Sequence, residues 1–236
     1  MKKTLVVKIG GSLLYNKDGI INTKKISEFC DIIKKDVSTL NTLVIVCGGG
    51  IIARNYINAV REFGGNEALC DIFGIEISRI NCKLFITCLG DLAYPSVPKS
   101  MEELSIAKLI KNVIVIGGLQ PGQSTTTVSV EVAEFINTDE LLILTDVEGI
   151  YDKDPNKYRN AKLIRNLTYG KLQEIILNSA ENEQAAAGEY RIFDAVSLQI
   201  LKRSNIRAIV ISGKNLQEFK KFWNGEPDII GTILSK

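Results

Sequence analysis

The sequence predicts an α/β fold with a mainly parallel central sheet, and three observations carry that expectation. Short β-branched runs alternate with longer amphipathic stretches, the pattern of buried strands and the helices that cover them. Residues 4–9, 42–47, 113–116, 141–145 and 207–211 read as those strands. Three of these strand ends run straight into glycines: Gly10-Gly11-Ser12, Gly48-Gly49-Gly50 and Gly117-Gly118. In open parallel sheets ligands bind beyond the carboxyl ends of the strands, so three such loops converge on one crevice.

Between the strands, Ile26, Phe29, Ile32 and Ile33 recur at helical spacing, as do Leu69, Ile72, Phe73, Ile77, Ile80 and Leu84 within a helix expected over 66–89. Ser100 with Glu103, and Asn215 with Glu218, have the spacing of helix starts whose side chains cap free amides. A further helix is expected to begin near Val128. The polar, alanine-rich stretch 180–188 reads as a mobile loop or a frayed helix end. At 236 residues the chain is expected to form a single domain.

Composition removes several function classes. The net charge of +2 comes from 29 basic and 27 acidic side chains scattered through one another, not from the basic stripe of a nucleic-acid polymer binder. Five cysteines, no CxxC pair and no histidine leave no zinc set and suit a reducing, cytoplasmic setting. No segment approaches the roughly 20 apolar residues of a membrane helix, and the apolar run at the start is broken at Lys8, too short for a signal core.

The loops carry the chemistry. Glycine lets backbone amides approach an anion, and a following helix start adds partial positive charge; Val46-Cys47-Gly48-Gly49-Gly50-Ile51-Ile52-Ala53-Arg54 has that layout, with Arg54 one turn into the helix. Tight turning alone explains one such loop, but three in succession point to anion binding. Gly48-x-Gly50-x-x-Ala53 also matches a loose dinucleotide fingerprint, yet the second strand ending in an acid about 20 residues on is missing, since Asp71 falls on a helix. No GxxxxGK[ST] run is present. Lys8 stands inside an apolar strand beside Gly10 and Gly11, where a charge is costly unless it meets an anion. There its ammonium would offset charge building on a transferring phosphoryl group.

Gly117-Gly118-Leu119-Gln120-Pro121-Gly122-Gln123-Ser124-Thr125-Thr126-Thr127 crowds amide and hydroxyl donors into one turn, as a phosphate or sugar site requires. The elbow Thr145-Asp146-Val147-Glu148-Gly149-Ile150-Tyr151-Asp152-Lys153-Asp154-Pro155 offers carboxylates that can hold a metal or orient a lysine, and a tyrosine that can flank a base.

Together these segments, with Asp71-x-x-Gly74-Ile75-x-x-Ser78-Arg79-x-Asn81, Phe193-Asp194 and Arg203-Ser204, resemble the amino acid kinase superfamily, most closely its archaeal uridylate kinase branch. The Gln-Pro-Gly-Gln-Ser-Thr run is the most specific piece. The resemblance implies a three-layer α/β/α sandwich, an acceptor lobe followed from about residue 140 by an ATP lobe, transfer of the ATP γ-phosphoryl group to UMP, Mg²⁺ travelling with ATP without dedicated protein ligands, and a homohexamer. It implies catalytic roles for Lys8 and Asp146. ATP contacts fall at Lys8, Ile9, Gly10, Gly11, Ser12, Gly50, Arg54, Thr145, Asp146, Tyr151 and Asp154. UMP contacts fall at Gly49, Asp71, Gly117, Gly118, Leu119, Gln120, Pro121, Gly122, Gln123 and Thr125. Cys47 before the glycines and Glu148 in the elbow depart from the usual pattern. Isopentenyl phosphate, acetylglutamate and carbamate kinases share the strand-end glycines, and the fold also builds oxoanion stores and nucleotide sensors. The isoprenoid kinases use a histidine at the acceptor phosphate, and this chain has none.

Overall fold

Hydrophobic strands pair in the order β3-β2-β1-β4-β6-β7-β5 in the computed structural model, which describes residues 2–155, 157–180 and 192–236. The strands are β1 (Lys3–Ile9), β2 (Leu40–Cys47), β3 (Val113–Ile116), β4 (Glu140–Thr145), β5 (Asn166–Thr168), β6 (Ala208–Ser212) and β7 (Gly231–Ser235). The first five in spatial order run parallel, β7 is antiparallel to β6, and β5 is parallel to β7. The five strands read from the sequence are all present, within two residues at each end. The two unforeseen ones are β5, a three-residue edge strand, and β7 beside it, whose Gly231-Thr232 start breaks the apolar run that marks the other strands.

Helices cover both faces: α1 (Thr23–Asp36), α2 (Gly50–Glu62), α3 (Glu67–Leu89), α4 (Met101–Ile110), α5 (Thr125–Phe135), α6 (Tyr169–Ala180), α7 (Ala195–Ser204) and α8 (Gln217–Trp223). Strand side chains alternate between two cores. Val7, Ile9, Ile45 and Leu144 meet α1, α3 and α8 through Phe29, Phe85 and Phe219. Val6, Val44, Val46 and Ile143 meet α4, α5 and α7 through Leu104, Val128 and Leu201. The result is a three-layer α/β/α sandwich. Lys8 falls in register on the second face, where its neighbours across the sheet are Val46 and Ile143.

Ser100 caps α4 as expected, accepting from the Glu103 amide at 3.2 Å. The cap expected at Asn215 is displaced: the residue before α8 is Leu216, at φ +57°, and Asn215 Oδ1 accepts instead from the Gln217 amide at 3.2 Å. α5 starts at Thr125, not near Val128, because Ser124 accepts from the Thr127 amide and draws three polar residues into the first turn. Of the stretch 180–188, Ala180 ends α6 and the rest lies outside the described residues.

Phe29 is completely buried, with its ring 5.3 Å from Phe219 and 6.2 Å from Phe85. Removing it opens a void under the sheet, so Phe29→Ala is expected to cost about 3–5 kcal/mol of unfolding free energy. Equilibrium denaturation with an unchanged m-value checks this.

Candidate active site

The carboxyl ends of β1, β2 and β4 open into a cavity of about 520 Å³. Its floor is built by backbone contact. A Cβ on Gly11 would lie 2.1 Å from the Gly50 nitrogen, and one on Gly50, whose φ is +71°, would lie 2.4 Å from the Gly11 carbonyl oxygen. Neither position admits another residue, so the loops after β1 and β2 interlock chain against chain.

Two helix N-termini face this floor. α2 starts at Gly50 with no side-chain cap, leaving first-turn amides without intrahelical acceptors. α5 brings Ser124, Thr125 and Thr126 to the cavity wall. Each end carries partial positive charge, a setting that holds anions. Arg54 and Lys8 add full charges. Burial pushes the Lys8 ammonium down to about 8, while the Asp146 carboxylate nearby opposes the shift.

The second wall is held from behind by a hydrogen-bonded frame. Asp194 caps α7, accepting from the Ser197 amide at 2.8 Å, and also accepts from Ser124 Oγ (2.7 Å) and Thr127 Oγ1 (2.7 Å) at the start of α5. Burial would raise its pKa, but these donors outweigh it and hold the carboxyl below the usual range. Arg203 and Ser204 on α7 bind Glu134 on α5, joining the two helices a second time.

The cavity combines buried charge, glycine loops and two helix N-termini, the features of an anion-handling α/β protein. The model of the amino acid kinase family matches residues 3–212. The chain belongs to that family. A uridylate kinase from Methanobrevibacter smithii is 41% identical over 233 residues, covering 98% of this chain and 99% of its own. One from Sulfolobus acidocaldarius is 36% identical, covering 98% of both chains. The crystal structure of uridylate kinase from Archaeoglobus fulgidus superposes with a TM-score of 0.81 at 31% identity, covering 98% of this chain and all of that one.

Within this amino acid kinase scaffold, Lys8, Gly10, Gly11, Ser12, Gly49, Gly50, Arg54, Asp71, Gly118, Gln123, Thr125, Thr145 and Asp146 all line the one cavity. Others from the sequence reading do not. Ile9 points into the core under α1. A Cβ on Gly117 would lie 2.7 Å from Ser78 Oγ, so this glycine lets the loop pack on α3. The Gly118 amide is spent on Ser78 Oγ at 2.8 Å, and the carbonyls of Gly118 and Leu119 accept from Arg79 at 3.1 and 3.2 Å. The Gly122 amide donates to Asp71 Oδ2 at 2.8 Å. Much of the donor-rich loop is thus tied to α3. Gln120 and Pro121 lie outside the cavity wall, as do Tyr151 and Asp154 on the elbow, where the Tyr151 hydroxyl donates to Glu148 at 3.0 Å.

Sequence reasoning gave no role to Ser78, Arg79, Asn81 and Asp194, the residues that hold the loops. Polar side chains buried in apolar helices were the available signal: Ser78 and Asn81 are fully buried in α3. Ile143 and Ile75 also line the cavity, and nothing in the sequence separates them from core residues.

Lys8 generates a stability test. Its folded pKa is about 8 against an ordinary 10.5, so the folded state bears a charging penalty that is fully present below pH 8 and relieved as pH rises to 10.5. Lys8→Met is expected to raise ligand-free stability at pH 7 by on the order of 2 kcal/mol. That margin should vanish towards pH 10.5 in a denaturant series across pH.

Proposed function

We propose that the chain is a uridylate kinase, transferring the γ-phosphoryl group of ATP to UMP to give UDP and ADP in pyrimidine nucleotide synthesis. One observation carries the reading: Lys8 and two helix N-termini face one cavity, so two phosphorylated groups can meet there with their charge offset from several sides.

In this reading a UMP phosphate oxygen attacks the γ-phosphorus, the bond from phosphorus to the bridging oxygen breaks, and ADP leaves. Lys8, the Gly10 and Gly11 loop and the α2 N-terminus with Arg54 bind the ATP phosphates. The ammonium of Lys8 stabilises charge as it spreads over the transferring oxygens. Gly49, Asp71 and the α5 N-terminus take UMP. Gln123 Oε1 is buried without a hydrogen-bond partner, an acceptor suited to a ribose hydroxyl or a base N–H. The elbow from Thr145 to Asp154 takes the nucleoside of ATP. The chain works as one domain, with the acceptor side first and the ATP side from about residue 140.

Mg²⁺ fits this cavity as a companion of the triphosphate. Asp71 and Asp146 are its lining carboxylates, and among the described residues no group of three or more His, Cys, Asp or Glu side chains is placed to hold a metal. The ion would be held mainly by the phosphates and water, without dedicated protein ligands, as is usual for this cation on a nucleotide. Bound there, Mg²⁺ would offset β- and γ-phosphate charge. Five free cysteines favour a cytoplasmic setting, and exposed Leu69, Ile72 and Ile80 on α3 favour assembly, for which we propose a hexamer.

Lys8→Ala is expected to lower kcat about a hundredfold or more with little change in KM, as losing an electrostatic group at the transition state does. Steady-state kinetics check it, along with Arg54→Ala raising KM for ATP more than for UMP, and Asp71→Asn doing the reverse. A coupled ADP-release assay with UMP, isopentenyl phosphate and acetylglutamate at equal concentration tests the acceptor. UMP alone should turn over, because a site built for hydroxyls and base edges leaves its own polar groups unpaired with the others. Comparable turnover of isopentenyl phosphate overturns the assignment.

A further inference from the structure

Behind the glycine loop, on its α3 side, lies a polar pair that the reaction above does not use. Asn81 is fully buried. Its Nδ2 donates to the carbonyl oxygens of Gly48 (2.8 Å) and Gly49 (3.3 Å), and its Oδ1 accepts from the Tyr15 hydroxyl at 2.5 Å. The three glycines line the cavity, whereas Asn81 and Tyr15 stand outside it. The described residues contain no cis peptide. In a trans peptide, the C=O of one residue and the N–H of the next point in opposite directions. Drawing the Gly48 and Gly49 carbonyls back onto α3 therefore turns the N–H groups of Gly49 and Gly50 towards the cavity.

We propose that Asn81, locked in orientation by Tyr15, is a positioning residue that sets the polarity of the Gly48-Gly49-Gly50 peptides, so that they present donors and not carbonyls to bound phosphate. Glycine peptides flip easily because nothing beyond the backbone restrains them. A flip here would place carbonyl dipoles against the anion, inverting the favourable field. Tyr15 matters because an amide has two polar ends. With Oδ1 engaged by the hydroxyl, only the NH₂ end is left for the glycines. The proposal deepens the phosphoryl-transfer reading and rests on it for the identity of the anion.

The test uses the full chain and inorganic tripolyphosphate as probe, titrated calorimetrically between pH 5 and 7.5. Wild type serves as reference at every pH, so probe and Lys8 titration cancel. Asn81→Asp keeps the shape but sets a carboxylate against two carbonyl oxygens. It is expected to weaken binding about tenfold or more at pH 7.5. The deficit should shrink towards pH 5, where the introduced carboxyl, its pKa raised by burial, regains a proton and donates again. Tyr15, whose own pKa burial pushes up, stays protonated throughout. Tyr15→Phe is expected to weaken binding about threefold at all pH values. A folded Asn81→Asp chain that binds like wild type at pH 7.5, or whose deficit is the same at every pH, overturns the proposal, because a packing defect alone would not be mended by a proton. If that variant does not fold, unchanged affinity in Tyr15→Phe overturns it. UMP turnover by the wild type is read in parallel: binding of tripolyphosphate without turnover overturns the kinase reading, while the variant titrations still decide the loop's polarity.

Discussion

Everything at the site depends on the absence of side chains at one crossing. The Gly11 backbone passes so close to Gly50 that a single methyl group on either would overlap main-chain atoms of the other. This contact brings the ends of β1 and β2 together tightly enough for Lys8, on one strand, and the N-terminus of α2, after the next, to share a cavity. Glycine at these positions thus has two separable roles. It permits the crossing, and it leaves the amides beyond the crossing approachable by an anion. The reading of the loops as tight turns holds at the crossing atoms of Gly11 and Gly50, while the amides of the same loops border the cavity.

Charge is the second constraint, and it works against stability. The cavity gathers Lys8, Arg54 and two positive helix ends against Asp71 and Asp146. Without a ligand, Lys8 loses hydration, which is why its pKa falls. A protein selected only for stability would put an apolar residue there, since its strand neighbours are Val46 and Ile143. The charge gathered in the cavity comes at the expense of the ligand-free fold, a common trade where function competes with stability.

α3 has a part that its sequence partly disguises. It reads as an apolar helix and does bury Cys82, Phe85 and Leu89. Yet Asp71, Ser78, Arg79 and Asn81 on the same helix hold three different loop segments by hydrogen bonds: Asp71 the Gly122 amide, Ser78 and Arg79 the Gly118–Leu119 turn, and Asn81 the glycines after β2. On the opposite face, Asp194 does the equivalent for α5. The loops around the cavity are thus held from helices on both faces of the sheet.

The sequence alone determined the parallel α/β class, the five central strands and most of the cavity wall, because those features are local. A β-branched run, a glycine pair or a lysine within an apolar strand each announces itself within ten residues. The family motifs added the order of the loops. What the sequence could not decide was which donors in the Gly117-to-Thr127 run face a ligand and which are spent on α3, since Gly118 and Ser78 stand 40 residues apart and meet only in the fold. It likewise missed β5, three residues long, and β7, which opens on Gly and Thr without a continuous apolar run, and placed the start of α5 three residues late. There the Ser124 cap, held by a carboxylate 70 residues downstream, outweighs the low helix propensity of three successive threonines. Local chemistry marks the candidates for a site; pairings across the chain decide which of their atoms remain free to act.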